Sequence, residues 1–293
     1  MQDIIVIVGP TGVGKTKLSI ELAKRINAEI INADSVAIYK ELNIGSAKPT
    51  LDEQKEAVHH LLDIRDVTDD YSVFDYQRDA REKIEEITSR GKRVIVVGGT
   101  GLYIKAALYD YEFKENNNYD EFADLSNKDI YEKIKEYLGE CTVHINNRQR
   151  LVRLLNKIIN KEPIGTKKDE LLYPCKIIGL TIDRDTLYDR INKRVDIMFN
   201  NGLLEEVTNL KDKYKSSRIL NSGIGYKEFY DYFYNNKDLN LVKEEIKKHS
   251  RNYAKRQYTF FNHQFKTTWY NVNLNNFDET IEKVYKDITK KDS

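Results

Sequence analysis

Residues 9–16 read Gly9-Pro10-Thr11-Gly12-Val13-Gly14-Lys15-Thr16, the pattern G-x-x-x-x-G-K-[ST], and their flanks restrict the fold further. Ile4 to Val8 is a continuous β-branched run, apolar on both faces as a strand inside a parallel sheet has to be. After the turn, Leu18, Leu22 and Ile26 recur at helical spacing. A strand that breaks in glycine and restarts as a helix aims backbone N–H groups at an anion, with the positive helix end behind them. Gly9 to Thr16 are therefore expected to cradle a diphosphate or triphosphate, Lys15 bridging two phosphates and the Thr16 hydroxyl ligating magnesium. The motif does not choose between ATP and another ligand of that kind.

The next apolar runs extend the same architecture. Glu29 to Ala33 reads as a second strand ending at Asp34, and Arg93 to Val97 as a third, running into Gly98 and Gly99. Between them Tyr76, Ala80, Ile84 and Ile87 form a helical stripe that Gly91 closes. From about Asp110 to Tyr173 the pattern changes. Asn116 to Asn118 break it, and the stripes that follow (Ile130, Ile134, Leu138; Leu151, Leu154, Leu155, Ile158) are helical with no convincing strand. Ile177 to Ile182 is a strand again, and a long polar-faced helix is expected from about Leu241 to Gln264. The fold class is α/β: a P-loop NTPase-like core with a mostly parallel sheet flanked by helices, over residues 1–111 and 177–293, and an all-helical insertion over 112–176. There is no internal repeat, and Lys290 to Ser293 read as a frayed end.

Composition limits what such a core can serve. The 293 residues carry 48 basic and 47 acidic side chains, so bulk charge gives no drive toward nucleic acid. The charge is uneven, however: Lys247, Lys248, His249, Arg251, Lys255 and Arg256 form an acid-free stretch, and Gln149, Arg150, Arg153 and Lys157 another. Either stretch alone also suits a solvated helix face. Cys141 and Cys175 are the only cysteines and lack metal-ligand spacing, which argues against a disulfide framework or a zinc site. No apolar run is long enough for a membrane span, and the N-terminus lacks the form of a signal peptide. A cytoplasmic protein is expected.

P-loop ATPases and GTPases hold their metal with an acid at the end of a neighbouring strand. Here that strand ends in Gly98-Gly99-Thr100-Gly101, and the carboxylate comes from the second strand instead, at Asp34-Ser35. Asp34 suits a turn or helix cap. Facing the P-loop across a crevice, it equally suits proton abstraction from an acceptor. The layout suggests group transfer from a phosphate-bearing donor rather than hydrolysis.

Taken together, the motifs resemble those of the tRNA dimethylallyltransferases, the isopentenyl-diphosphate:tRNA transferases, nearly end to end. Asp34-Ser35-Val36-Ala37-Ile38-Tyr39, Ile44-Gly45-Ser46-Ala47-Lys48-Pro49 and Val97-Gly98-Gly99-Thr100-Gly101-Leu102-Tyr103 are similar to that family's D-S-x-x-x-Y, I-G-T-A-K-P and V-G-G-T-G-L-Y. His59-His60-Leu61-Leu62-Asp63-Ile64 lies between the second and third of these, and Arg194-Val195-Asp196, Gly202-Leu203-Leu204-Glu205-Glu206-Val207, Ile224-Gly225-Tyr226-Lys227-Glu228 and Tyr253-Ala254-Lys255-Arg256-Gln257 follow in order. The resemblance implies transfer of a dimethylallyl group from dimethylallyl diphosphate to the exocyclic amine of adenine at tRNA position 37, beside the anticodon. Diphosphate is released into the P-loop, with magnesium as cofactor. It implies Asp34 as general base, Thr100 orienting the base or the diphosphate, and tRNA contacts from Asp34, Ser35, Val36, Ala37, Thr100, Gln149, Arg150, Leu151, Val152 and Arg153. The partners expected are the tRNA anticodon stem-loop and dimethylallyl diphosphate, no membrane, and a monomeric chain.

Five positions depart from that pattern. Family members commonly carry Gln where Ala37 stands, Thr at Ser46, Gln or Arg at Ser222, and T-W-F-R where this chain has Thr259-Phe260-Phe261-Asn262. Ala37, Ser222 and Asn262 bear on tRNA affinity more than on the chemistry. Three other readings share part of the evidence. One is a P-loop small-molecule kinase, another an adenylate (AMP) isopentenyltransferase, and the last an RNA-binding module without catalysis. His59 and His60 point to different faces and suit structure or an RNA-adjacent position better than a metal.

Overall fold

Strands pair where β-branched residues can be buried on both faces, and that requirement sets the centre of the molecule. The computed structural model describes residues 3–110, 122–162 and 170–290. β1 (Ile4–Val8) leads through the glycine turn into α1 (Lys15–Ile26) and β2 (Ala28–Asn32). α2 (Leu51–Glu56), β3 (His59–His60), α3 (Val73–Ser89), β4 (Arg93–Val97) and α4 (Gly101–Leu108) follow. Capping boxes start α2 and α3: Thr50 with Glu53, and Ser72 with Asp75, exchange side-chain and backbone hydrogen bonds. α5 (Asn127–Leu138) and α6 (Arg148–Ile159) precede β5 (Cys175–Thr181). The chain then runs through α7 (Arg184–Asn200), α8 (Leu203–Asn209), α9 (Arg218–Ser222), α10 (Phe229–Tyr234) and α11 (Leu239–Gln264) to β6 (Thr268–Asn271) and α12 (Phe277–Thr289).

The six strands form one sheet in the order β3-β2-β4-β1-β5-β6, and every pairing is parallel. Alternation along β1 feeds two cores. Ile4, Val6 and Val8 join Tyr76 of α3, Ile104 of α4 and Phe261 of α11, while Ile5 and Ile7 join Leu18 and Leu22 of α1 and Ile281 and Val284 of α12. Each such fully buried side chain contributes about 1.5–3 kcal/mol, so the middle strands hold the sheet. The chain leaves β1 for β2 beyond β4 and later lays β5 on β1's other flank. At such a switch point the carboxyl ends of the strands open a crevice.

The four strands expected from the apolar runs are the four central ones. β2 starts one residue earlier than its pattern suggests, and β5 begins at Cys175. β3 and β6 escape that reading because they are edge strands, one only two residues long and the other with Tyr270 as its single buried side chain. Thr259 to Asn262 lie within α11. At β3, His60 Nε2 sits 2.6 Å from Glu29 Oε2, and His59 Nδ1 lies 2.8 Å from the Ala57 carbonyl. Glu29, nearly buried, also accepts from Arg90 and Lys92, and with the Arg90 contact as the largest cause its carboxyl is held down to about 2. The paired histidines thus knit the sheet edge.

The chain divides into two compact units, Met1–Tyr109 with Leu171–Ser293, and Asp110–Glu170. The second unit contains no strand among its described residues; Ile130 and Ile134 of α5 close on Leu151, Val152 and Leu155 of α6 as its own core. Asn116 to Asn118 lie outside the described residues, as do residues 291–293 of the expected frayed end. No described helix is long and apolar enough to cross a membrane.

Candidate active site

Three strand ends converge at the crevice: the P-loop after β1, Asp34 after β2 and Gly98-Gly99 after β4. Gly12 and Gly14 take φ of 83° and 107°, a left-handed bend that side-chain-bearing residues resist, and α1 starts directly from it. Lys15 Nζ folds back to the carbonyls of Gly9 and Pro10 at 2.9 Å each. Burial lowers its pKa to about 8, opposed by the Asp34 carboxylate and assisted by the Arg194 guanidinium. Nothing among the described residues hydrogen-bonds the Thr16 hydroxyl, while its carbonyl accepts from Ser19 Oγ at 2.9 Å.

A cavity of about 490 Å³ lies over this loop. Thr11, Gly12, Gly14, Lys15 and Thr16 form one side, and Asp34, Ala37, Lys48, His59, Arg190 and Arg194 stand around the rest. Arg190 Nε donates to the Gly12 carbonyl at 3.0 Å and Arg194 Nη1 to Thr11 Oγ1 at 3.1 Å, so α7 delivers two guanidinium groups against the P-loop. A second cavity of about 260 Å³ is lined by Ser35, Val36, Ser222, Tyr253 and Arg256. Thr11, Asp34, Ser46 and Arg194 line both cavities.

Asp34 is held by a local turn and by its neighbours. Its Oδ1 accepts from Val36 N–H at 3.0 Å, and its own N–H donates to Asn32 Oδ1 at 3.1 Å. Thr100 Oγ1 accepts from Ser35 N–H at 3.0 Å, tying β4's end to the Asp34 turn. Gln257, buried on α11, joins the third side: its Oε1 accepts from Thr11 N–H at 3.0 Å and its Nε2 donates to the Gly99 carbonyl at 3.1 Å. Gly98 packs so closely on β2's end that a Cβ there would lie 2.2 Å from the Ala33 carbonyl group. Gly98→Ala is therefore expected to lower stability by about 1–3 kcal/mol, read as a reduced urea midpoint. An unchanged midpoint would mean that this approach has slack.

Several expected contributors sit differently from their anticipated roles. Ala37 is buried and lines the first cavity, beside the P-loop, not the second. Thr100 lines neither cavity, its hydroxyl being engaged with Ser35. Pro10 and Val13 are buried P-loop framework, Val13 within the α1 core. Gln149, Arg150, Leu151, Val152 and Arg153 belong to the helical unit, in the first half of α6. Leu151 and Val152 face its core, so only Gln149, Arg150 and Arg153 present side chains outward. Sequence reasoning did not place Gln257 beside the P-loop, and it raised Arg190 and Arg194 only within the kinase reading, as arginines of a helical lid. Nothing near the P-loop in the chain announces them, although arginines in successive turns of one helix are a signal for oxyanion binding.

The IPP transferase family model matches residues 37–264. The tRNA dimethylallyltransferase of Bacillus subtilis is 44% identical over 286 residues, spanning 92% of this chain and 91% of its own. That of Anoxybacillus flavithermus is 42% identical over 292 residues, with 96% and 92% covered. Among solved structures, the tRNA isopentenylpyrophosphate transferase of Bacillus halodurans is 36% identical, with a TM-score of 0.77 over 98% of this chain and 96% of that one. A eukaryotic dimethylallyltransferase acting on tRNA is 28% identical, with a TM-score of 0.82 over 97% and 77%. A chain with this parallel P-loop sheet, matched over most of its length by these enzymes, belongs to the IPP transferase family, the tRNA dimethylallyltransferases.

Proposed function

We propose that this chain transfers the dimethylallyl group of dimethylallyl diphosphate to the exocyclic amine of adenine at tRNA position 37, working as a cytoplasmic monomer. The observation that carries this reading is Asp34 at the junction of two cavities, one floored by the P-loop and one that touches it only at Thr11. The diphosphate lies on the P-loop under Lys15, Arg190 and Arg194. The adenine enters the second cavity from the RNA. Its amine nitrogen attacks the allylic carbon, and the carbon–oxygen bond breaks with its electron pair leaving on diphosphate. Asp34 takes the amine proton. Charge grows on the leaving group as the bond lengthens, and fixed cations stabilise it there more than in the ground state.

The Thr16 hydroxyl, which has no hydrogen-bond partner among the described residues, suits magnesium, which takes one or two protein oxygens and fills its shell with phosphate and water. When bound, the ion would neutralise charge on the leaving diphosphate. Thr100, bonded to Ser35, acts by holding the Asp34 turn. The glycine at β4's end offers no second acid, which speaks against the kinase and ATPase readings.

RNA is favoured over AMP as the acceptor by a groove of about 540 Å³ along α11, lined by Asn252, Lys255, Arg256, Thr259, Phe260, His263 and Gln264. It contains no acid, and Arg256 also lines the second cavity, so an RNA strand whose adenine enters that cavity meets cations immediately outside. A mononucleotide needs no such surface. In the helical unit, Gln149, Arg150 and Arg153 supply further contacts. Arg153→Ala and Lys255→Ala are each expected to weaken tRNA binding and shallow its salt dependence by about 0.7–0.9 in the logarithmic slope, with donor affinity unchanged. An unaltered slope would return that residue to the solvated surface.

The test of the function is incubation with magnesium, labelled dimethylallyl diphosphate and either unmodified tRNA or AMP, followed by nucleoside analysis by mass spectrometry. Label in one adenosine of the tRNA supports the proposal. Label in AMP alone, or ATP consumption without label transfer, overturns it.

A further inference from the structure

The loop over residues 43–46 turns four consecutive backbone N–H groups toward one carboxylate and its tyrosine partner. Glu206 Oε2 accepts from Asn43 N–H at 3.0 Å and Ile44 N–H at 2.8 Å. Glu206 Oε1 accepts from Gly45 N–H at 3.1 Å and from the Tyr226 hydroxyl at 2.8 Å. The Tyr226 oxygen in turn accepts from Ser46 N–H at 3.1 Å. Successive N–H groups converging on one point make an anion nest. Here the chain fills the nest itself, from more than 160 residues away. Tyr226 is fully buried, and a Cβ on Gly45 would lie 2.6 Å from its ring, so the fit leaves room for glycine alone.

The far side of the same loop is functional surface. Ser46, Ala47 and Lys48 line the P-loop cavity, while Gly45 and Ser46 line the second one. Glu206 stands on α8, which continues from α7, the helix that carries Arg190 and Arg194. Neither Glu206 nor Tyr226 lines either cavity, so any effect they have passes through the loop.

We infer that Glu206, seated by Tyr226, is a positioning residue that holds the 43–46 loop against the α7–α8 segment, so that the donor and acceptor cavities meet at Asp34 with water excluded. This rests on the transferase reading above. A loosened wall admits water to the allylic carbon. The water oxygen then forms the new carbon–oxygen bond, diphosphate leaves with the old bonding pair, and the water proton passes to solvent, giving dimethylallyl alcohol instead of modified RNA.

Two variants test it. Glu206→Gln keeps the size but has one accepting oxygen, so part of the nest faces an NH₂ donor. Tyr226→Phe keeps the ring and removes only the hydroxyl. Both are expected to lower kcat for transfer by about 10- to 100-fold, as misplaced reacting groups do, with donor affinity unchanged. Diphosphate released per prenyl group delivered should rise above the wild-type ratio, a shift that general destabilisation does not produce. Amide hydrogen exchange at residues 43–46 should speed up by about tenfold or more, the loss expected for hydrogen bonds to a charged group. Should Glu206→Gln unfold, Tyr226→Phe decides alone. A folded variant with wild-type transfer rate and wild-type diphosphate ratio overturns the inference. If the wild-type protein moves no label into RNA, the transferase reading fails instead, and exchange at 43–46 still decides whether the nest is the clamp described.

Discussion

Alanine in place of Asp34 is expected to cut the single-turnover rate of prenyl transfer by about 10²- to 10⁴-fold, the range that general-base catalysis contributes. Donor affinity should hold or tighten, because one anionic group leaves the neighbourhood of the diphosphate. Alanine also removes the acceptor for Val36 N–H, so Asp34→Asn separates the two roles. Asparagine keeps that hydrogen bond and loses the basic oxygen. Equal losses in both variants assign Asp34 to proton transfer. A fully active asparagine variant would make it a turn residue and leave the acceptor amine without a base.

Lys15→Ala should weaken donor binding by about 100-fold, since it deletes a charged hydrogen-bond donor worth about 1.5–3 kcal/mol from beside two phosphates. Turnover should fall with it. The pH dependence of the wild-type protein gives an independent reading. Burial, the largest cause, holds the Lys15 ammonium down to about 8, with Asp34 opposing and Arg194 reinforcing the shift. The cationic form is the one that binds diphosphate, and it is present below that pH and lost above it. Donor affinity should therefore be level from about pH 6.5 to 7.5 and decline by up to about tenfold per pH unit above 8. The Lys15→Ala protein should lack this break. A wild-type affinity that stays level to pH 10 would mean that the Lys15 ammonium keeps its charge over that range, and the Lys15→Ala affinity alone would then decide its place in the donor site.

Asp34 and Lys15 were legible in the chain because their neighbours along it build their geometry. The P-loop is eight successive residues with a β-branched run before and a helical stripe after, and Asp34 stands two residues past the end of its strand. Gln257 was not legible in that way. It reaches Thr11 across 246 residues, and only the packing of α11 against α7 and α4 brings it there. Arg190 and Arg194 cross 178 and 183 residues to the same loop.

Leu151 and Val152 mark a finer limit. A motif groups five consecutive residues, but successive side chains around a helix point about 100° apart, so the same five divide between a core and a surface. Ala37 and Ser35, two residues apart, likewise line different cavities. Local sequence determined the α/β class, the four central strands, the phosphate loop and the identity of the acid beside it, because backbone geometry and hydrophobic periodicity act over a few residues. The tertiary fold alone decided which arginines meet the P-loop, which of the motif residues face a cavity, and that Glu206 fills the nest at residues 43–46, because those contacts arise only when distant helices close over the strand ends.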